Sequence, residues 1–229
     1  VTNQFFNFEN ASNLKDFKNK TDVICAANVI CHVPDLVDLI KGVDVLLSKN
    51  GIFVFEEPYL GSMLKKTSYD QIYDAHVFMF SVLSVQKIFN KFNFDLIDLY
   101  PQITHGGSMR YVIARKNTKN ISSKIKTTIK EEISMRMDTI DAYNNFKKEC
   151  ELSKESFTKK ILKHKNEGKK ICGYAATAKS STVLNYCKIG KDIIDFIADS
   201  TNEKVGKFSP GMHIPIVSIE EFQKKKPDV

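Results

Sequence analysis

Asp22-Val23-Ile24-Cys25-Ala26-Ala27 is an apolar run opened by a single acid, the form taken by a parallel strand buried on both faces. The residues after it supply its partner. Pro34 and Asp35 open a helix, and Leu36, Leu39, Ile40, Val43 and Leu47 repeat at helical spacing. Asn50-Gly51 reads as a turn and Ile52-Phe53-Val54-Phe55 as a second strand. Strand, helix, turn, strand is a βαβ crossover. The chain is therefore read as an α/β protein with a parallel sheet covered by helices.

Further along, the pattern predicts helices over 69–80 and 84–92 and strands over 94–99 and 109–114. The loop 101–108 between those strands is short enough for antiparallel neighbours. Residues 121–167 are polar with helical periodicity and are expected to form two long helices acting as a connector. A second βαβ unit follows: strand Lys170-Ile171-Cys172-Gly173, a helix over 179–187, and a strand over 193–199. Pro215-Ile216-Val217, a helix from Ser218, and Pro227-Asp228-Val229 as the start of another strand complete the reading. The expected division is 1–116, 117–167 and 168–229.

An apolar content of 42% is enough to bury ordinary cores. No apolar run approaches membrane-spanning length, and no charged segment precedes an apolar one at the start. With Val1 rather than Met at its head, the chain is expected to be a cytoplasmic piece of a longer protein, without a membrane partner. Five cysteines form no C-x-x-C pair and no metal-ligand spacing, so no metal site is expected. Cys25, Cys172 and Cys187 are placed as small buried hydrophobes. The net charge of +7 invites a nucleic-acid reading. Yet residues 115–170 hold 16 Lys/Arg against 8 Asp/Glu, and the remainder is nearly neutral. A lysine-rich helical face without interleaved aromatics is usually solvated, so no nucleic-acid partner is expected.

Three stretches suggest chemistry. Tyr69, Tyr73, His76 and Phe80 would share one helical face, either as a catalytic surface or as a core-facing aromatic stripe with a satisfied histidine. Cys31-His32-Val33-Pro34 lies just beyond the carboxyl end of a parallel strand, where open α/β sheets bind ligands. Thr104-His105-Gly106-Gly107-Ser108-Met109-Arg110 offers polar groups and a glycine pair that allows close backbone approach, or is simply a hairpin turn. In the second unit, Gly173 through Ser181 runs from a strand into a helix N-terminus, an anion-binding setting or a plain βα turn. Asp199, at the end of the next strand, is a candidate ribose contact.

Ala27-Asn28-Val29-Ile30-Cys31-His32-Val33-Pro34-Asp35, Tyr69-Asp70-Gln71-Ile72-Tyr73-Asp74-Ala75-His76 and Thr104-His105-Gly106-Gly107-Ser108 resemble, in this order, the deoxysugar C-methyltransferases. Gly173-Tyr174-Ala175-Ala176-Thr177-Ala178-Lys179 and Gly206-Lys207-Phe208-Ser209-Pro210-Gly211-Met212-His213-Ile214-Pro215-Ile216 are similar to that family's C-terminal domain. The resemblance implies the C-terminal half of a class I methyltransferase Rossmann-like sheet, a helical connector and a second, smaller Rossmann-like α/β domain. It also implies S-adenosylmethionine as cofactor and a small-molecule nucleotide-linked 4-keto-deoxysugar as substrate, methylated through an enolate. His76 would be the base, Tyr73 a donor to the enolate oxygen, and His32 a wall of the pocket. Gln4, Phe5, Ala27 and Asn28 would touch the cofactor. His105, Ser108, Arg110, Thr177, Lys179 and Ser180 would touch the substrate.

Members of the family open with a zinc-binding domain and a glycine-rich cofactor half. This sequence shows neither, having no G-x-G and no metal-ligand cysteine spacing, so zinc is expected only in a family domain outside it. The missing G-x-G also disfavours a nicotinamide enzyme. The family motif Tyr-x-Glu-His has Ala75 in the place of its Glu. A catalytically impaired nucleotide-sugar-binding remnant is therefore the alternative reading.

Overall fold

The computed structural model describes residues 2–229. Its packing forms two units, one of residues up to 66 with 74–143, the other of 67–73 with 144–229. Among the described residues no helix is long and apolar enough to cross a membrane.

The first unit begins with α1 (Phe8–Asn13), β1 (Thr21–Ala27), α2 (Leu36–Leu46) and β2 (Leu47–Pro58). β1 and β2 run parallel, with Cys25 opposite Val54. α2 starts where Asp35 accepts a hydrogen bond from the Asp38 N–H at 2.9 Å, an N-cap that satisfies one orphan donor. Its buried Leu39, Ile40, Val43 and Leu46 form the inward stripe. β1 is not buried on both faces. It stands at one end of the sheet order, only Ile24 and Ala26 pack on the core, and Val23 is 52% exposed. Cys25 is likewise exposed and Cys172 only half-buried, whereas Cys187 is buried as expected.

Next come α3 (Leu60–Lys66), α4 (Val82–Asn90), β3 (Phe94–Gln102), β4 (Ser108–Arg115), α5 (Ser123–Ser134) and α6 (Ile140–Asn166). The sheet order is β1-β2-β4-β3, and β4 is antiparallel to both neighbours. The expected parallel arrangement thus holds for β1 and β2, while the sheet as a whole is mixed. Register sets Phe55 opposite Tyr111, and their rings stack at 4.9 Å. With Phe53, Phe94, Leu96 and Ile113 they make the centre of the core. Each side chain of this size contributes roughly 1.5–3 kcal/mol on burial, more than an exposed ion pair supplies.

α4 begins two residues earlier than predicted, because Ser81 and Ser84 form a capping box. A distant carboxylate reinforces that start. Glu132 of α5, fully buried, accepts from Val82 N at 2.6 Å, Leu83 N at 2.9 Å and the Tyr59 hydroxyl at 2.9 Å. That hydroxyl is pushed well above its usual range, first by burial and then by Glu132.

The helix predicted over 69–80 does not form. Only Tyr69–Gln71 turns, as a 3₁₀ helix, and the rest of the segment is irregular up to the bridge between Phe80 and Tyr59. The backbone donors go elsewhere: Val77 N and Phe78 N both bond the Cys31 carbonyl, at 2.9 and 3.3 Å. A segment whose N–H groups are spent on a distant turn has none left for an i−4 ladder. Tyr73 and His76 therefore share no helical face.

The second unit takes most of α6, then β5 (Cys172–Tyr174), α7 (Ala178–Cys187), β6 (Phe196–Ala198), β7 (Ile216–Val217) and α8 (Ile219–Lys225). Its three strands are parallel in the order β5-β6-β7. The stretch expected as a connector, 117–167, is divided, α5 packing in the first unit and α6 in the second from residue 144. Residues 227–229 form no strand, although Val229 accepts from Cys172 N at 2.8 Å.

Candidate active site

The turn after β1 is built around the Glu56 carbonyl and the Glu57 carboxylate at the end of β2. Asn28 adopts a left-handed conformation (φ 53°), which its short polar side chain tolerates, and its N–H bonds the Glu56 carbonyl at 2.8 Å. Glu57, with no exposed surface, takes Val29 N at 3.0 Å and Ile30 N at 2.6 Å on the same oxygen. Its other oxygen meets no donor at hydrogen-bond geometry, and neither does the buried Asn28 Oδ1. Beside this turn lies a cavity of about 720 Å³, lined by Phe5, Phe6, Ala27, Asn28, His32 and Asp35 among others. Three of the four predicted cofactor contacts, Phe5, Ala27 and Asn28, thus come together. Gln4 is not in the lining.

The 3₁₀ turn Ile30–His32 carries Cys31 inward and His32 outward. The rings of His32 and His76 stand 5.1 Å apart, tilted by 47°. His32 Nδ1 lies 2.6 Å from the Ala75 carbonyl. A carbonyl can only accept, so Nδ1 carries the proton in the neutral ring and Nε2 the lone pair. The Cys31 thiol is pushed far above its usual range, first by burial and then by the nearby Glu57. No sequence spacing announces that residues 31, 32 and 76 meet.

The glycine-pair loop is held from several sides. Gly107 sits at φ 135°, and a Cβ there would come within 2.5 Å of Ser62 Oγ. The neighbouring His105 is left-handed at φ 52°. Lys66 donates to the Gly106 carbonyl, and Ser108 Oγ to Thr104 O at 3.1 Å. Arg110 reaches one oxygen of Glu56 through Nε (3.1 Å) and Nη2 (2.8 Å), while Thr104 Oγ1 donates to the other at 3.0 Å. Ser108 and Arg110, expected at the substrate, are here engaged with the loop itself. Glu56 and Glu57 were overlooked because adjacent acids on a strand read as one outward and one inward residue. An inward acid at a strand end was the signal that could have found Glu57.

In the second unit the residues expected to hold an anion cap their own helix. Thr177 Oγ1 accepts from Ser180 N at 3.1 Å, and Ser180 Oγ accepts from Thr177 N at 2.9 Å. Lys179 Nζ stands 4.0 Å from Asp70. Asp199 is no free ribose acceptor. It takes Ala176 N at 2.7 Å, Thr201 N at 2.8 Å and Lys204 Nζ at 3.2 Å. Burial raises its carboxyl, but the bonds from Thr201, Ala176 and Lys204 outweigh that and hold it at about 2.

Residues 103–229, more than half of the chain, match the family model described as C-methyltransferase C-terminal domain. The chain belongs to the C-methyltransferases. Residues 1–99 match a methyltransferase domain model. C-methyltransferase NovU of Streptomyces niveus is 30% identical over 198 residues, covering 86% of this chain and 47% of that protein. The chain spans about half the length of this curated relative. Apart from 67–73, the residues of the methyltransferase-domain match fall in the first unit, whose mixed α/β fold is Rossmann-like.

Proposed function

We propose that the protein is an S-adenosylmethionine-dependent C-methyltransferase acting on a nucleotide-linked 4-keto-deoxysugar, with His76 as the base. The observation supporting this most directly is the His32–His76 ring pair beside the β1 turn and its cavity. A ketone acidifies the adjacent C3–H, and a neutral imidazole is a base suited to pH near 7. The proton passes from C3 to an imidazole nitrogen of His76, and the C–H electron pair delocalises onto the ketone oxygen as an enolate. Bound S-adenosylmethionine would supply an electrophilic methyl group for the enolate carbon.

The residues present suit that cofactor. A cavity of about 720 Å³ lies within the ~300–1,000 Å³ range of small-molecule sites. Phe5 and Ala27 give it apolar walls, and Asn28 Oδ1 is a buried acceptor awaiting a donor. His32 borders the same space, its ring fixed by the Ala75 carbonyl. On the resemblance alone, Tyr73 would donate to the enolate oxygen; losing such a donor typically costs about 3–4 kcal/mol.

Ala75 favours a second reading, a binder without turnover, because the carboxylate that would orient the base is missing. Deuterium wash-in separates the two. The protein at its natural length is incubated in D₂O with a TDP-linked 4-keto-2,6-dideoxy sugar, without cofactor. Exchange at C3 that is lost in His76→Ala supports the enzyme; a folded, sugar-binding protein without exchange supports the binder.

A further inference from the structure

We propose that Cys31, His32 and His76 form a binding site for a zinc-class divalent cation, held by one thiolate and two imidazoles with water in a fourth position. The Cys31 sulfur and one ring nitrogen of each histidine already lie within 4.8 Å of one another. Tetrahedral sites with metal–nitrogen bonds of about 2.0–2.1 Å and metal–sulfur bonds of about 2.3 Å put their ligand atoms roughly 3.3–3.6 Å apart. Closure therefore asks for about 1 Å of side-chain movement. Cys31 is held in the core, so the movement falls to exposed His32 and half-buried His76.

Three features prepare the site. His32 donates from Nδ1 to the Ala75 carbonyl, the backing that metal-bound imidazoles usually have, and keeps the Nε2 lone pair available. The Cys31 carbonyl takes the N–H groups of both Val77 and Phe78, so the segment carrying His76 is stitched to the turn carrying the other two ligands. Fully buried Glu57 lies beside the Cys31 thiol, and two backbone N–H groups hold one of its oxygens.

The charges balance. On binding, the Cys31 S–H bond breaks, its proton leaves to solvent and its electron pair forms the sulfur–metal bond, while the imidazoles give their lone pairs neutral. A divalent ion with one thiolate carries one positive charge, and the Glu57 carboxylate alongside offsets it. Burial suits the neutral thiol in the metal-free protein, and coordination reverses that preference, since metal-bound thiols are deprotonated. The consequence for turnover, which rests on His76 being the base, is inhibition: a metal-bound nitrogen cannot take the C3 proton.

Cobalt(II) is the probe. It is titrated anaerobically into metal-stripped protein of natural length and compared with Cys31→Ser, His76→Ala and, as a control thiol, Cys25→Ser; any other metal site adds equally to all four. The expected result is one additional equivalent in the wild type and Cys25→Ser, with a sulfur-to-cobalt charge-transfer band and intense tetrahedral ligand-field absorption. Cys31→Ser should lose the charge-transfer band, and His76→Ala should bind at least 10-fold more weakly. Identical spectra in all four proteins overturn the site, as does an absent band in a protein that circular dichroism shows folded. Deuterium exchange is read on the same metal-free samples. A cobalt band without exchange removes the base role and leaves the metal site; exchange without a band does the opposite.

Discussion

Two strand-to-helix junctions, one in each unit, use the same device with opposite results. In both, a carboxylate at the end of the neighbouring parallel strand holds the backbone of the turn: Glu57 takes Val29 and Ile30 N–H, and Asp199 takes Ala176 N–H. At the second junction every oxygen is used and Lys204 adds a positive charge. At the first, one oxygen of Glu57 and the Asn28 amide oxygen receive no backbone or cationic donor, and a cavity opens alongside. Topology alone therefore does not distinguish the two junctions. Polar groups buried and left unsatisfied by the fold do, because the chain bears their desolvation cost until something arrives to meet them.

The largest effect that can test this contrast is catalytic. His76→Ala should slow C3 deuterium exchange by about 10²–10⁴-fold while Thr177→Ala leaves it unchanged; equal losses would erase the distinction between the junctions. The next is a matched pair of amide substitutions followed by urea unfolding. Asp199→Asn turns an N–H₂ toward existing donors and should cost about 2–3 kcal/mol. Glu57→Gln keeps the oxygen that serves Val29 and Ile30, and should cost less than about 1 kcal/mol. A larger penalty at Glu57 would show that its second oxygen is satisfied after all.

Acid sharpens the same pair. Because the folded Asp199 carboxyl is depressed to about 2, its contribution is complete above the ordinary carboxylate range and drains away as pH falls from there toward 2. Acid unfolding of the wild type should lose stability in that window, and Asp199→Asn should lose less of it. Smaller still, Asn28→Gly keeps the left-handed backbone but deletes the unpartnered oxygen. It should weaken S-adenosylhomocysteine binding about 10-fold by calorimetry, with stability nearly unchanged. Smallest is Thr177→Ala, which should lose about 1 kcal/mol of stability through the cap and leave nucleotide-sugar affinity untouched. A loss of affinity there would restore the anion role expected of Thr177, Lys179 and Ser180.

Local rules made much of this legible. The β1–α2–β2 crossover followed from an apolar run, an Asp cap and helical spacing, and the grouping of Phe5, Ala27 and Asn28 around one cavity agrees with the motif resemblance. The helix over 69–80 failed because a 3.6-residue period in Tyr69, Tyr73, His76 and Phe80 says nothing about where the N–H groups of Val77 and Phe78 are spent. The Cys31 carbonyl, more than forty residues away, took them. The same non-locality hid the meeting of Cys31 with His76 and the work of Glu56, Glu57 and Glu132. At α7 the Thr177–Ser180 capping box, three residues apart, was within reach of local rules, since the two side chains satisfy each other's backbone N–H.

The reach of Glu132 has a bearing on how this protein is made. Its carboxylate meets the first two amides of α4 from fifty residues downstream. During synthesis from the N-terminus, β1, β2, β3 and β4 can all have emerged while the head of α4 and the Tyr59 hydroxyl still lack their acceptor. A nascent chain stalled, or a gene truncated, just after β4 would own the whole sheet and yet leave that helix end open. The last turn of α5 works as the clasp, and the methyltransferase half closes only once the ribosome has passed it.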